Sequence, residues 1–151
     1  MTVRIEEVAR NTYLIDCGKE PTFSLPQVAY LLYDDPPVLI DPGSTTAASA
    51  LLADASSLGF DLRELAYIIP THIHLDHAGG AGYLAEHLLK AKVVLHPRGT
   101  AHMIDTSVMV RSARLVFGDD FEKMLGPVMP VPEQRIHTAQ DGEVIRLGNR
   151  D

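Results

Sequence analysis

The residues best suited to chemistry lie together in one short stretch of the chain. His72, His74, Asp76 and His77 follow one another closely, and an apolar run over residues 65–70 precedes them. Imidazole and carboxylate groups suit Zn²⁺ and also iron or manganese. Because a metal ion lowers the pKa of bound water to about 7, such a cluster can generate a hydroxide nucleophile at neutral pH. The stretch therefore predicts a metal site in which Asp76 either binds a second metal or orients and deprotonates the attacking water.

The elements around this stretch are expected to bring its side chains to one point. The apolar run 65–70 is typical of a buried strand. Side chains alternate along an extended segment, so His72 and His74 should point the same way. Asp76 and His77 then lie on the turn into the next helix, whose N-terminus directs partial positive charge toward the site. This arrangement favours a bound hydroxide or an anionic substrate.

The spacing of these four residues resembles a family signature. The pattern His72-x-His74-x-Asp76-His77, continued by an alanine and two glycines, is similar to that of the metallo-β-lactamase superfamily. The resemblance implies an α/β (α+β) fold, an αββα sandwich with the metal site at one edge of its two sheets. It also implies that His72 and His74 bind the first metal and that Asp76 and His77 bind the second, giving two Zn²⁺ ions in a complete site. Histidine at position 74 favours hydrolysis, because flavodiiron relatives usually carry glutamate there.

An Asp-Pro-Gly sequence earlier in the chain resembles the first motif of the same family. Asp41 ends the short apolar run 38–40. The resemblance implies that this carboxylate supports the metal loop, and a carboxylate beside such a loop can hold the outer N–H of a ligand histidine. The alternative is a simple turn in which Asp41 binds its own backbone.

The resemblance is incomplete toward the C-terminal end of the chain. The family completes its site with a later histidine, a bridging aspartate and a final histidine, and the later histidine usually stands in a His-Thr-Pro-Gly-His-like turn. No such turn occurs in this sequence, and His137, the remaining candidate ligand, lacks these neighbours. Residues 1–151 are therefore expected to form the N-terminal portion of a metallo-β-lactamase-like domain, truncated at its C-terminal part, with about half of its metal site.

The composition excludes several classes of partner. Hydrophobic residues make up 46% of the chain and charged residues 22%, which is ordinary for one globular domain. The net charge of −7 and the scattered basic residues argue against nucleic acid, which leaves a small-molecule substrate as the expected partner. No apolar stretch approaches the ~20 residues that span a bilayer, and no signal-peptide pattern occurs, so we expect no membrane partner and a cytoplasmic location. Cys17, the single cysteine, is expected to be a buried structural residue.

The remaining patterns predict an alternation of strands and helices. Strands are predicted at residues 3–8, 12–17, 28–33, 38–40, 92–96, 134–138 and 143–147. Helices are predicted at residues 44–58, with Ser44 or Thr45 as the cap, and at 79–90, 99–104 and most of 106–126. The first four strands are separated by short turns and loops, which predicts an antiparallel start to the sheet, and the later strand–helix–strand order predicts parallel crossovers.

Three further histidines and the methionine-rich segment 106–126 are candidates for a role in the site. His87 is expected to be a surface residue, whereas His96 and His102 are better explained as capping or core residues than as site residues. The methionine-rich segment 106–126 can supply the wall of a substrate pocket, but we interpret it as core, because methionine and phenylalanine at helical spacing are usually buried.

Three functional hypotheses remain open. The leading one is a zinc-dependent hydrolase in which metal-bound hydroxide attacks the carbonyl of an ester, thioester, lactone or lactam. An iron-dependent persulfide dioxygenase shares the histidine spacing, so the ligand types do not distinguish zinc from iron. The third is a catalytically incompetent fragment with half a metal site, because catalytic zinc generally needs three protein ligands and an open position.

Overall fold

The computed structural model describes residues 3–17 and 26–147. Within these ranges seven strands form one sheet in sequence order: β1 (Arg4–Ala9), β2 (Thr12–Asp16), β3 (Val28–Leu32), β4 (Val38–Ile40), β5 (Tyr67–Ile69), β6 (Lys92–Leu95) and β7 (Ile136–Thr138). Neighbouring strands from β1 to β4 are antiparallel, and those from β4 to β7 are parallel. The predicted change from antiparallel hairpins to parallel crossovers is confirmed, and the mixed α/β class with it.

Helices connect and cover the parallel strands. They are α1 (Thr45–Asp54), α2 (Leu75–Ala78), α3 (Ala81–His87), α4 (Pro97–Ile104), α5 (Ser107–Phe117) and α6 (Phe121–Leu125), with short 3-10 helices at Leu62–Glu64 and Glu133–Arg135. Ser44 caps α1, because its Oγ accepts a hydrogen bond from the backbone N–H of Ala47 at 3.3 Å. Among the described residues, no helix is long and apolar enough to cross a membrane.

The core lies between one face of the sheet and helices α1 and α3. Strand register aligns Leu31, Leu39, Ile68 and Val93 in one row across β3 to β6, and each is fully buried. Apolar side chains of the two helices, among them Leu51 and Leu84, complete this cluster. Alternation along each strand places the aligned residues on a single face, so a one-residue shift of any strand would expose its share of the core.

The opposite face of the sheet is more open. Tyr30, Ile40 and Ile69 lie in register across β3, β4 and β5 on this face. Tyr30 is 39% exposed and its two neighbours are half-buried. The described residues therefore bury one face of the sheet far more completely than the other.

Glycines shorten one predicted helix and divide another. The predicted helix 79–90 is present as α3 (Ala81–His87), and Gly79 and Gly80 separate it from the short helix α2 that precedes it. A Cβ on Gly80 would lie 2.4 Å from Cβ of Ala48 in α1, so only glycine permits this close approach. The predicted helical segment 106–126 forms two helices, because Gly118 adopts a positive φ of 80° that ends α5.

The predicted strand 143–147 is wrong. Residues 143–146 have no regular structure, and only Leu147 forms a single bridge. The side chain of Glu143 instead folds back onto the preceding turn, where its Oε2 accepts a hydrogen bond from the backbone N–H of Gln140 at 2.8 Å. Its Oε1 lies 2.7 Å from Nε2 of His137. These local hydrogen bonds compete with an extended conformation of the segment.

Candidate metal centre

The candidate site lies at the carboxyl ends of two neighbouring parallel strands. Strand β4 ends at Ile40 and is followed by Asp41, and β5 ends at Ile69 and is followed by the loop that carries the histidines. Since β4 and β5 are parallel, these two connections begin side by side. The backbone N–H of Asp41 donates to the carbonyl of Ile69 at 3.1 Å.

Backbone hydrogen bonds from the Asp-Pro-Gly turn also hold the far end of the histidine loop. The N–H of Gly43 donates to the carbonyl of His77 at 3.2 Å. The carbonyl of Gly43 accepts from the N–H of Gly80 at 2.8 Å. The turn after β4 is thus bonded to the loop after β5 both before and after the histidines, which fixes the position of the loop relative to the sheet.

The structure brings all four predicted site residues together. The ring centroids of His72 and His74 are 4.7 Å apart, and those of His72 and His77 are 4.1 Å apart. Nε2 of His77 lies 3.5 Å from Oδ2 of Asp76. The side chains of His77 and Asp76 remain 33% and 29% exposed, so the cluster is open to solvent and to a ligand.

Asp41 anchors this cluster through three hydrogen bonds. Its Oδ1 accepts from the backbone N–H of Thr71 at 2.7 Å, and its carboxylate also accepts from the hydroxyl of Thr71 at 2.9 to 3.0 Å. Its Oδ2 lies 3.0 Å from Nδ1 of His77. The predicted contact between Asp41 and the outer N–H of a histidine is therefore present. Asp41 has a positive φ of 51°, a strained backbone conformation that these hydrogen bonds stabilise.

The same contacts determine which nitrogen of two histidines carries the proton. An ionised carboxylate only accepts hydrogen bonds, so Nδ1 of His77 must be protonated toward Asp41. The single hydroxyl proton of Thr71 is likewise donated to Asp41, so Oγ1 of Thr71 accepts from Nδ1 of His72, which is 3.1 Å away. Both imidazoles therefore keep the lone pair of Nε2 for another partner, as a metal ligand requires.

The donor set fits a metal ion in chemical type but is not complete. Imidazole nitrogens with a free Nε2 lone pair and one carboxylate are the ligands that zinc prefers. Among residues 3–17 and 26–147, however, no three His, Cys, Asp or Glu side chains are arranged to hold one metal ion. The family resemblance assigns His72 and His74 to one ion and Asp76 and His77 to the other, although the ring centroids of His72 and His77 lie closer together than those of His72 and His74.

The remaining histidines lie outside this cluster, each for an identifiable reason. His137, the candidate third ligand, is paired through Nε2 with Glu143 at 2.7 Å. The backbone N–H of Gln140 and the side chain of His137 lower the pKa of the Glu143 carboxyl, which keeps it ionised as the partner of His137. His96 caps α4, since its Nδ1 accepts from the backbone N–H of Arg98 at 3.1 Å, as the capping alternative predicted. His87 is exposed and its Nδ1 donates to the carbonyl of Tyr83 at 2.8 Å.

A pocket of about 580 Å³ adjoins the cluster and has part of segment 106–126 in its wall, the alternative to a core role for that segment. His74 and Asp76 line one side of it, together with His102 of α4 and the apolar face of α5. His102 is half-buried at this pocket and is not a core residue. The interpretation of 106–126 as core holds for Met109, which is buried, but Val116 is 72% exposed and lines the pocket. An amphipathic helix with apolar residues beyond its buried stripe is the only sequence signal that points to this wall.

Comparison with solved structures extends the similarity over nearly the whole chain. A metallo-β-lactamase from Cronobacter sakazakii with a HARLDQ motif shares the fold with a TM-score of 0.67 at 23% identity, covering 97% of this chain and 51% of that one. A B3 metallo-β-lactamase with an active-site glutamic acid gives a TM-score of 0.68 at 31% identity, covering 96% and 48%. A subclass B3 metallo-β-lactamase from a soil metagenome library gives 0.62 at 30% identity, covering 92% and 47%. The chain thus spans about half the length of these structures.

The family model gives the assignment of the chain. No curated protein matches the sequence. The model of the metallo-beta-lactamase superfamily matches residues 22–150, which include Asp41 and the whole histidine loop. The strand-end position of the loop, the contacts of Asp41 and the similarity to solved metallo-β-lactamases agree with this match. The chain therefore belongs to the metallo-beta-lactamase superfamily.

Proposed function

We propose that this chain carries the first half of the active site of a zinc-dependent hydrolase that cleaves a carbonyl substrate such as an ester, thioester, lactone or lactam. The observation that carries the proposal is the convergence of three imidazoles and one carboxylate on the end of β5, with ring centroids 4.1 and 4.7 Å apart. A solvated loop without a function would not need the supporting hydrogen bonds that Asp41 and Thr71 provide.

The residues divide into those that would bind metal and those that hold them in place. His72 and His74 would bind one ion, and Asp76 and His77 would bind a second. When bound, zinc acidifies a coordinated water and polarises the substrate carbonyl. Asp41 and Thr71 keep Nδ1 of His77 and of His72 protonated, so that Nε2 of each faces the site. The carboxylate of Asp76 is the described group best placed to accept a proton from the attacking water.

We also propose that residues 1–151 are the N-terminal portion of a metallo-β-lactamase domain whose remaining ligands come from outside this chain. Two observations support this. The solved structures to which the chain is similar are about twice its length. Within the described residues no three His, Cys, Asp or Glu side chains are arranged to hold one metal ion, and His137 is held by Glu143. Three ligands with one open position are what a catalytic zinc site generally requires.

Hydrolysis assays with metal analysis test the proposed function. The complete domain, comprising residues 1–151 and the part that supplies the remaining ligands, would be loaded with zinc and offered an aryl ester, an acyl thioester, a γ-lactone and a β-lactam. We expect hydrolysis of at least one of these classes, stopped by a chelator and lost in the variant His74→Ala, with zinc rather than iron as the metal that supports it. The variant His87→Ala, which changes an exposed histidine outside the cluster, should retain activity. Hydrolysis that survives His74→Ala, or activity only with iron and a persulfide, would overturn the proposal.

A further inference from the structure

The pocket beside the candidate metal site has the size and shape of a small-molecule site. Its volume of about 580 Å³ falls in the range of roughly 300 to 1,000 Å³ that is usual for such sites. His74 and Asp76 line one side, and Val108, Met109 and Val116 of α5 contribute to the apolar walls. A molecule in this pocket would therefore contact two of the candidate metal ligands directly.

The lining of the pocket selects an uncharged, apolar group. Among the described residues no lysine, arginine or glutamate lines it, and apart from His74 and Asp76 its polar side chains are His102 and Ser112. A carboxylate or phosphate of a substrate would meet the carboxylate of Asp76 and no lysine or arginine among these side chains, so burying it there would be costly. An extended peptide strand would also bring backbone groups that this lining cannot satisfy with hydrogen bonds. A hydrocarbon chain needs no such partners.

Exposed apolar residues on α5 would stabilise a hydrocarbon chain bound in the pocket. Val108 is 41% exposed and Val116 is 72% exposed, although both are apolar and both line the pocket. Burying such surface against a hydrocarbon chain removes it from water. The flexible side chain of Met109 can adapt to chains of different shape.

We propose that this pocket binds the aliphatic acyl chain of the substrate and places the carbonyl carbon of that chain beside His74 and Asp76. The inference rests on the proposed function and narrows its substrate to esters, thioesters or lactones with a straight, uncharged acyl group. Substrates whose acyl part carries a charge would be excluded from the pocket by the same lining.

Binding of unreactive amides to the metal-free chain tests this inference. The probes are straight-chain primary carboxamides with four to eight carbons, followed by NMR of ¹³C-labelled methionine methyl groups. We expect the Kd to fall about fourfold with each added methylene, since each buries further apolar surface. The methyl signal of Met109 should shift, whereas that of Met103, which is buried outside the pocket, should not.

A matched pair of variants on α5 separates pocket binding from general adhesion. Ser112 is exposed and lines the pocket, so Ser112→Trp should fill it and remove the dependence on chain length. Leu115 lies on the same helix, is 85% exposed and is not part of the lining, so Leu115→Trp should bind the amides as the unchanged chain does. Equal affinity for all chain lengths, or equal loss in both variants, would overturn the inference. Because no metal is present, this result is independent of the metal-binding and hydrolysis assays.

Discussion

At the scale of single residues, Asp41 connects the early part of the sheet to the histidine loop. Its carboxylate accepts hydrogen bonds from the backbone and the hydroxyl of Thr71, and it holds Nδ1 of His77 at 3.0 Å. Strand β4 is parallel to β5, so Asp41 at its end lies beside the start of the loop. The positioning of His72 and His77 thus depends on one carboxylate that need not touch the metal.

Replacing Asp41 by alanine should weaken metal binding without removing a ligand. Loss of a carboxylate that supports a ligand histidine typically lowers metal affinity by about 10- to 100-fold. We expect this loss in Asp41→Ala, measured by competition with a chelating dye, and a smaller loss in Asp41→Asn. The control is Asp61→Ala, which removes an exposed aspartate paired with Arg63. Unchanged affinity in Asp41→Ala would show that the loop positions itself without this side chain.

The ionisation of Cys17 affects stability at alkaline pH. It is 1% exposed, and burial, with a smaller contribution from Asp16, raises the pKa of the Cys17 thiol from 9.0 to about 12. The unfolded chain loses this proton near the lower value, whereas the folded chain keeps it. Above pH 9 the unfolded state therefore binds fewer protons, and the free energy of unfolding should fall as the pH rises.

The expected slope can be measured by urea unfolding between pH 8 and 10.5. One thiol should lower the free energy of unfolding by up to about 1.4 kcal/mol per pH unit above its unfolded pKa. The variant Cys17→Ala should lack this part of the pH dependence, although it is less stable at every pH because of the cavity it leaves. Parallel pH profiles for the two proteins would contradict the assignment of a buried, protonated thiol.

At the scale of elements, helix α4 packs directly against the histidine loop. A Cβ on Gly99 of α4 would lie 2.7 Å from Cγ2 of Ile73, which stands between two of the candidate ligands. Such overpacking usually costs about 1 to 3 kcal/mol and forces neighbouring atoms to shift. The glycine therefore couples the position of α4 to the geometry of the metal site.

The variant Gly99→Ala should lower metal affinity more than it lowers stability. Alanine favours a helix interior over glycine by about 1 kcal/mol, which offsets part of the packing cost. The double variant Gly99→Ala/Ile73→Ala removes the atom that clashes and should recover metal affinity relative to Gly99→Ala. Zinc titration and thermal unfolding of the three proteins measure both effects. Failure of the second substitution to restore binding would show that this contact does not set the loop.

The features of the fold that could be predicted from the sequence are those encoded by residues close together in the chain. The strand before Thr71 and the cap at Ser44 follow from residues close in sequence, and the structure contains both. The contacts of Asp41 with Thr71 and His77 join residues far apart in the chain, so they were expected from the family resemblance and not from a local pattern. The strand at 143–147 failed because the side chain of Glu143 bonds His137 and the turn instead of leaving the backbone free to pair. The position of His102 at a pocket depends on how α4 meets α5, and no local pattern encodes that packing.

At the scale of the whole molecule, the sheet has one well-covered face and one open face. Tyr30, Ile40 and Ile69 form an apolar row on the open face, and Tyr30 is 39% exposed. Apolar surface of this kind promotes association between molecules. We expect the 151-residue chain to self-associate in a concentration-dependent way in sedimentation velocity experiments.

A charge on the open face should reduce that association. Tyr30→Lys places an ammonium group in the middle of the row, whereas Leu115→Lys places one on the exposed side of α5, away from the sheet. We expect the first variant to sediment more nearly as a monomer and the second to behave as the unchanged chain does. A chain that stays monomeric at every concentration would contradict this account of the open face.

The central claim, that the histidine loop is a metal site, is tested most directly by cobalt and zinc binding to the chain. Cobalt(II) reports its ligands through its absorption spectrum, and zinc competes for the same site. We predict a weak but specific metal site. Its affinity for cobalt and zinc should be at least tenfold lower in His72→Ala and His74→Ala and unchanged in His87→Ala. If all three variants bind both metals as the unchanged chain does, the cluster at the end of β5 is not a metal site and the account is wrong.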